Sequence, residues 1–199
     1  YWLLRKPAKV GGILRTAIFR RWRGIEKTGE NAWALLAGFH LARRFEALGI
    51  GHIHAPWASG PATAAWVASR LTGLPFSFTA RAWDIYPPDA LIGVKVAEAA
   101  FIRTETDANV RHLMAVTGTD RTKFHVTYNG MPLKTTGDAE LRMAPPYRLL
   151  AMGRFVAKKG YDQLMLAARL LQDRGFDFTL TMAGDGPLRG PLERQARAL

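Results

Sequence analysis

Cysteine is absent from all 199 residues, so no disulfide framework and no thiolate metal site can form. That absence fits a reducing compartment. Acid is scarce, with 16 Asp and Glu against 28 Lys and Arg, for a net charge of +12. Residues 2–23 hold seven basic residues and no acid at all, and residues 1–50 carry ten basic residues against three Glu, +7 of the excess. Long apolar runs are missing too. Residues 47–69 are uncharged and long enough to span a bilayer, but His52, His54, Pro56, Pro61 and three glycines make them strand, loop and helix instead. Internal repeats and low-complexity tracts are also lacking. With 48% hydrophobic and 22% charged residues, the composition is that of a globular chain, which excludes a disordered one.

Residues 147–195 carry most of the chemistry. Tyr147–Met152 is a short apolar run that breaks into Gly153-Arg154-Phe155-Val156-Ala157-Lys158-Lys159-Gly160. Tyr161, Leu164, Met165, Ala168 and Leu171 then recur at three- and four-residue steps, one apolar helix face closed by Gly175. Phe176–Ala183 reads as a second strand, ending in Gly184-Asp185-Gly186-Pro187, with Pro187 suited to the first turn of another helix. Strand, helix, strand and helix in this order predict a right-handed parallel unit, whose ligands sit beyond the carboxyl ends of the strands. Both glycine-containing breaks fall at those ends. Arg154, Lys158 and Lys159 stand beside a helix start, where free N–H groups and the helix dipole favour an anion. Glycines at 184 and 186 would let a ligand approach the backbone. The set suits a diphosphate; solvated surface lysines and ordinary capping glycines are the competing reading.

A similar unit lies upstream. Residues 30–48 read as helix, 51–55 as a brief strand, 62–72 as an alanine-rich helix and 76–79 as a strand. His52 and His54 alternate, so they share one strand face. Such a pair can bind metal, but no motif places a third ligand, and histidines satisfied within the fold are the plainer reading. Residues 89–100 and 106–116 read as helices, 101–104 and 123–128 as strands. Asn129-Gly130 is a turn by composition. Residues 131–146, with Gly137, Pro145 and Pro146, read as a polar linker between a first domain over 1–130 and a second over 147–199.

GRFVAKKGYDQLMLAARLL followed by AGDGPLRGPLE closely resembles the donor half of family 4 retaining glycosyltransferases, and HIHAPWAS with LPFSFTARAWDIY resembles their acceptor half. The resemblance implies a GT-B fold: α/β, two Rossmann-like domains with parallel sheets, both incomplete in this chain. It implies sugar transfer from a nucleotide-sugar donor to a carbohydrate or lipid-linked acceptor, with retention, in cell-surface polysaccharide or glycolipid synthesis. By motif match, Arg154 and Lys159 are the catalytic cations on the donor diphosphate, and Gly153, Gly184, Asp185 and Gly186 line the donor site. His54, Arg81, Asp84, Asn129 and Gly130 fall on the acceptor side of the cleft. Arg81 stands where the family has a catalytic-site His, and an arginine cannot exchange a proton at neutral pH. No metal or other cofactor is required, since the two cations can stabilise the leaving diphosphate.

Residues 2–23 carry an apolar stripe, Ile13, Leu14, Ala17 and Ile18, among arginines. They read either as a helix resting on an anionic membrane, peripheral at its cytoplasmic face, or as one packed onto a core. The charge without a binding motif does not make a nucleic-acid partner. The chain opens on Tyr, without a leader pattern, and closes inside a helical pattern, so it reads as an internal piece of a longer enzyme. The family's first glycine-rich loop and its paired glutamates would lie outside it, so the piece alone is expected to be inactive. A sugar-nucleotide epimerase of the same fold and a non-catalytic glycan- or membrane-binding protein are the alternatives.

Overall fold

The structure, a computed structural model, describes residues 1–20, 24–130, 132 and 144–199. The chain forms two compact units, Tyr1–Pro132 and Leu133–Leu199. Most of the expected linker, residues 131 and 133–143, lies outside the described residues.

In the first unit four strands, β1 (Ile53–Ala55), β2 (Phe76–Ala80), β3 (Ile102–Thr104) and β4 (Phe124–Val126), pair in parallel in the order β1-β2-β3-β4. The register sets Ile53 beside Phe76, Phe78 beside Ile102, and Ile102 beside Phe124. The N-terminal helices are α1 (Trp2–Arg5), α2 (Pro7–Ile18) and α3 (Ile25–Leu48). The crossover helices are α4 (Gly60–Thr72), α5 (Ile92–Glu98) and α6 (Asp107–Thr117). Because every crossover advances one strand in the same direction, the right-handed rule puts α4, α5 and α6 on one face of the sheet. The contacts of α4 with β1 and β2, and of α6 with β3 and β4, agree.

Strand alternation then divides the residues. Ile53, Ala55, Phe76, Phe78, Ala80, Ile102 and Phe124 are buried against the helices. His52, His54, Phe101, Arg103 and His125 fall on the other face. A parallel sheet covered on both sides would read as continuous apolar runs; here one face is polar. Alanines let α4 come close to the sheet, and Trp66, Val67, Ala68 and Leu71 are fully buried in it. The element boundaries differ from the sequence reading chiefly at α3, which starts five residues earlier than expected. Nothing in Ile25–Gly29 breaks a helix outright, and Lys27 is engaged with the Trp83 and Pro87 carbonyls.

Within the described part of the basic segment, Trp2–Arg5 and Pro7–Ile18 form two short helices, and the apolar stripe splits. Ile13 and Ala17 are buried together with Trp2 and Val10, whereas Leu3, Leu4, Leu14, Ile18 and Phe19 remain exposed. Packing onto the core thus accounts for one face only. Among the described residues no helix is long and apolar enough to cross a membrane.

The second unit pairs β5 (Tyr147–Met152) with β6 (Phe178–Ala183) in parallel, joined by α7 (Tyr161–Asp173) and followed by α8 (Arg189–Ala198). Phe155, Tyr161, Met165 and Leu192 make its small core. Gly175, at φ 81°, follows the C-cap Arg174 and lets the Phe176 N–H return to the Leu171 carbonyl at 3.1 Å, the helix stop expected from sequence. Pro187 falls two residues ahead of α8, in the turn closed by Arg189 N–H on Gly186 O, and not in the helix's first turn as expected.

Candidate functional site

In the second unit both glycine-containing breaks leave the carboxyl ends of β5 and β6, and backbone hydrogen bonds zip them together. Gly153 N–H donates to Ala183 O at 3.0 Å, Phe155 N–H to Asp185 O at 2.8 Å, and Leu188 N–H to Phe155 O at 3.0 Å. Phe155 buries its ring edge-on to Tyr161, with centroids 4.9 Å apart, and so anchors the loop to the core. The glycines are needed for this contact. A Cβ on residue 184 would stand 2.0 Å from Gly153 O, and one on residue 186 would stand 2.6 Å from Phe155 O. The close approach that Gly184 and Gly186 permit is therefore made by the neighbouring loop of the same chain, whereas the sequence reading gave that space to a ligand.

That zipper holds the cationic loop at the sheet end. Lys158 and Lys159 lie in a 3-10 turn, Ala157–Lys159, and Gly160, at φ 64°, turns the chain into α7. Gly160 gives no side-chain cap, which leaves N–H groups of the first turn of α7 open. Arg154, Lys158 and Lys159 are exposed, and no carboxylate among the described residues pairs with any of them. Asp185 is likewise exposed, its Oδ1 taking the Gly186 N–H at 2.8 Å and facing Arg189 at 3.8 Å. Three unpaired cations beside an uncapped helix start can hold a multiply charged anion.

In the first unit the candidate residues gather at the carboxyl ends of β1–β4. Arg81 lies with its guanidinium 4.8 Å from the centroid of the Trp57 ring and its Nε 3.3 Å from Glu105 Oε1. Arg103 reaches the same Glu105 oxygen at 3.5 Å, and its Nη2 donates to Thr127 O at 2.5 Å and to Asn129 Oδ1 at 3.3 Å. A row of Trp57, Arg81, Glu105, Arg103 and Asn129 thus crosses the strand ends. Sequence reading missed Trp57, Arg103 and Glu105. The signal was their position: each sits in or just after a strand whose partners already carried candidates. Gly130 follows Asn129 with nothing within 4 Å of a notional Cβ.

Asp84 is 2% exposed and accepts from Ala58 N–H at 2.8 Å and Arg81 N–H at 3.1 Å, so it ties the loop after β1 to the loop after β2. From the other side Lys95, fully buried, donates to Ala58 O and Asp89 Oδ2 at 2.5 Å and to Thr63 Oγ1 at 3.2 Å. Burial pushes this ammonium down from its ordinary range, against the pull of Asp89. Glu30 completes the anchorage by accepting from the Ser59 hydroxyl and from Gly60 N–H.

No hydrogen bond among the described residues joins His54 to this row. Its Nδ1 is 2.7 Å from Ser77 Oγ and its Nε2 3.0 Å from Thr79 Oγ1, while His52 Nε2 also lies 2.7 Å from Ser77 Oγ. A hydroxyl has one hydrogen, so one of these two ring nitrogens must donate. Burial, then His52, then Arg103, hold His54 below its ordinary pKa. Both histidines are thus satisfied within the fold. Among the described residues no three His, Asp or Glu converge on a metal position.

Parallel sheets with helical crossovers, and candidate residues at the carboxyl strand ends of each unit, define an α/β protein of the GT-B-like, Rossmann type. Among solved structures, the apo form of WaaB, a lipopolysaccharide outer core galactosyltransferase, is similar, with a TM-score of 0.62 over 81% of this chain at 16% identity. The chain spans 44% of that structure's length. No family model and no curated protein sequence matches.

Proposed function

We propose that the chain is part of a retaining glycosyltransferase of family 4 that moves a sugar from a nucleotide-diphosphate donor to a carbohydrate or lipid-linked acceptor. The observation that carries this reading is the set of three unpaired cations, Arg154, Lys158 and Lys159, at the strand ends of the second unit and the start of α7. In such a transfer the bond from the anomeric carbon to the diphosphate oxygen breaks, and its electron pair stays on the leaving group. A new bond forms from the anomeric carbon to an acceptor hydroxyl oxygen, which loses its proton. The rate then depends on stabilising the charge that grows on the diphosphate. Arg154 offers a fork of donors and Lys159 a point charge for this, with α7 N–H groups behind them. These cations do without a metal, and Gly153, Gly184, Asp185 and Gly186 shape the loop that presents them.

On the acceptor side the reading gives Arg81 and Asn129 a binding role, with Asp84 and Gly130 shaping the loops that carry them. His54, held by Ser77 and Thr79, has only a supporting place in this reading. The reading includes a role in cell-surface polysaccharide or glycolipid synthesis, as the family resemblance implies. The first test is calorimetric titration of UDP and of GDP into the chain and into its Arg154→Ala variant. Binding of one nucleotide, weakened about tenfold or more in the variant, as loss of a charge-assisted contact implies, supports the reading. Equal binding by both proteins, or none by either, overturns it and favours a non-catalytic protein of the same fold.

A further inference from the structure

Tyr161 is the first residue of α7, and its ring packs edge-on to Phe155 in the small core of the second unit. The residue is only 5% exposed, yet its hydroxyl makes no hydrogen bond with any described residue. Nor is the oxygen sealed from solvent, because Arg81 Nε is the one fully enclosed side-chain polar atom without a partner among the described residues. Buried polar groups find partners as a rule, so a buried phenol with an unbonded oxygen asks for a cause. Packing does not supply one, since a phenylalanine would lay the same ring against Phe155.

The place of the oxygen does. A Cβ on residue 153 would stand 2.9 Å from it, so the hydroxyl lies against the Gly153 backbone, where β5 ends and the cationic loop begins. Gly153 N–H already donates to Ala183 O, and the Gly153 carbonyl faces Gly184. Arg154 follows at once in the chain, and Tyr161 itself opens the helix whose first turn has no side-chain cap. Two carboxylates lie in the same stretch, and both are engaged. Asp162 accepts from Gln163 at 3.1 Å, and Asp185 takes the Gly186 N–H and faces Arg189. With Arg154, Lys158 and Lys159 the loop stays net positive. The cations and the helix dipole draw an anion in, whereas a hydroxyl held by a buried ring is a directed donor that fixes where one oxygen sits. We propose that the Tyr161 hydroxyl donates to an oxygen of a diphosphate seated on Arg154, Lys159 and the start of α7, and is a further binding residue of that site. The proposal rests on the glycosyltransferase reading for the identity of the diphosphate.

The test is calorimetric titration of inorganic pyrophosphate, and separately of UDP and GDP, into the chain and its Tyr161→Phe variant, which loses one oxygen and keeps the ring. Pyrophosphate and one nucleotide bind the unaltered chain. The variant binds each about tenfold or more weakly, the size of a hydrogen bond to a charged group. Because the fold takes no hydrogen bond from this oxygen, the variant melts at the same temperature or higher. Equal affinity in the folded variant, or no pyrophosphate binding by the unaltered chain, overturns the proposal. Should the variant fail to fold, carbon NMR of labelled tyrosine Cζ in the unaltered chain decides. The other tyrosine of this unit, Tyr147, lies at the opposite end of β5. A tyrosine signal that moves with pyrophosphate supports the proposal, and signals that all stay in place overturn it. Pyrophosphate weakened in the variant, with no nucleotide bound by either protein, keeps the role of Tyr161 and removes the glycosyltransferase reading. One nucleotide bound equally by both does the reverse.

Discussion

Lys95 shows how much a single buried charge can organise. Its ammonium and the Asp89 carboxylate have side chains 0% and 1% exposed and lie 2.5 Å apart, so neither can turn to water if the other is removed. Lys95→Met would leave Asp89 buried and unpaired and the Ala58 carbonyl without its donor. Loss of one partner of such a pair costs about 3–5 kcal/mol. Urea denaturation of the Lys95→Met variant is expected to show a loss of that size. A loss under about 1 kcal/mol, the range of a surface pair, would mean that the pair is dispensable. Asp84, Lys95 and Glu30 together pin Ala58, Ser59 and Gly60, so the Trp57 indole beside Arg81 projects from a fixed loop and not from a pliant one.

At the scale of elements, the zipper between the loops after β5 and β6 is the feature on which the cationic site depends. Gly184→Ala puts a methyl group where Gly153 O now sits, 2.0 Å from the new carbon, and backbone cannot swing aside as a flexible side chain can. The two loops must part, at a cost of about 1–3 kcal/mol by analogy with overpacked cores. The expected result is a second unit that melts at a lower temperature and binds nucleotide more weakly, because Arg154 and Lys159 ride on the displaced loop. A Gly184→Ala chain with unchanged melting and unchanged nucleotide affinity would show that the loops are held apart already.

For the whole molecule the governing quantity is the net charge of +12, of which the N-terminal helices take a large part. Around their basic residues, Leu4 is 89% exposed, Phe19 83% and Ile25 95%, while the buried side of α2 faces the core. A basic surface studded with exposed apolar side chains suits an anionic lipid surface, where the charges attract and the apolar groups insert. The chain is expected to sediment with phosphatidylglycerol vesicles and not with phosphatidylcholine vesicles, and to be released by salt. Phe19→Ser with Ile18→Ser should weaken binding by about two orders of magnitude or more, given the transfer energy of two such side chains. Sedimentation that ignores lipid charge, or the double substitution, would assign the exposed residues to something other than a membrane.

What the sequence determined by itself was the local grammar. Glycines, prolines and apolar periodicity set out the parallel α/β units, and β5 fell where expected, because helix stops and strand ends are decided within a few residues. Arg154, Lys158 and Lys159 were legible for the same reason: they follow a strand and precede a helix in one short stretch. Tertiary structure alone decided the rest, since it depends on residues far apart in the chain. Only the fold showed that Gly184 makes room for Gly153, and that Arg81, Trp57, Glu105 and Arg103 meet across three strand ends. It also showed which half of the α2 stripe is buried. Each is a contact between segments roughly twenty to thirty residues apart or more, and at that range spacing along the chain no longer fixes which side chains meet.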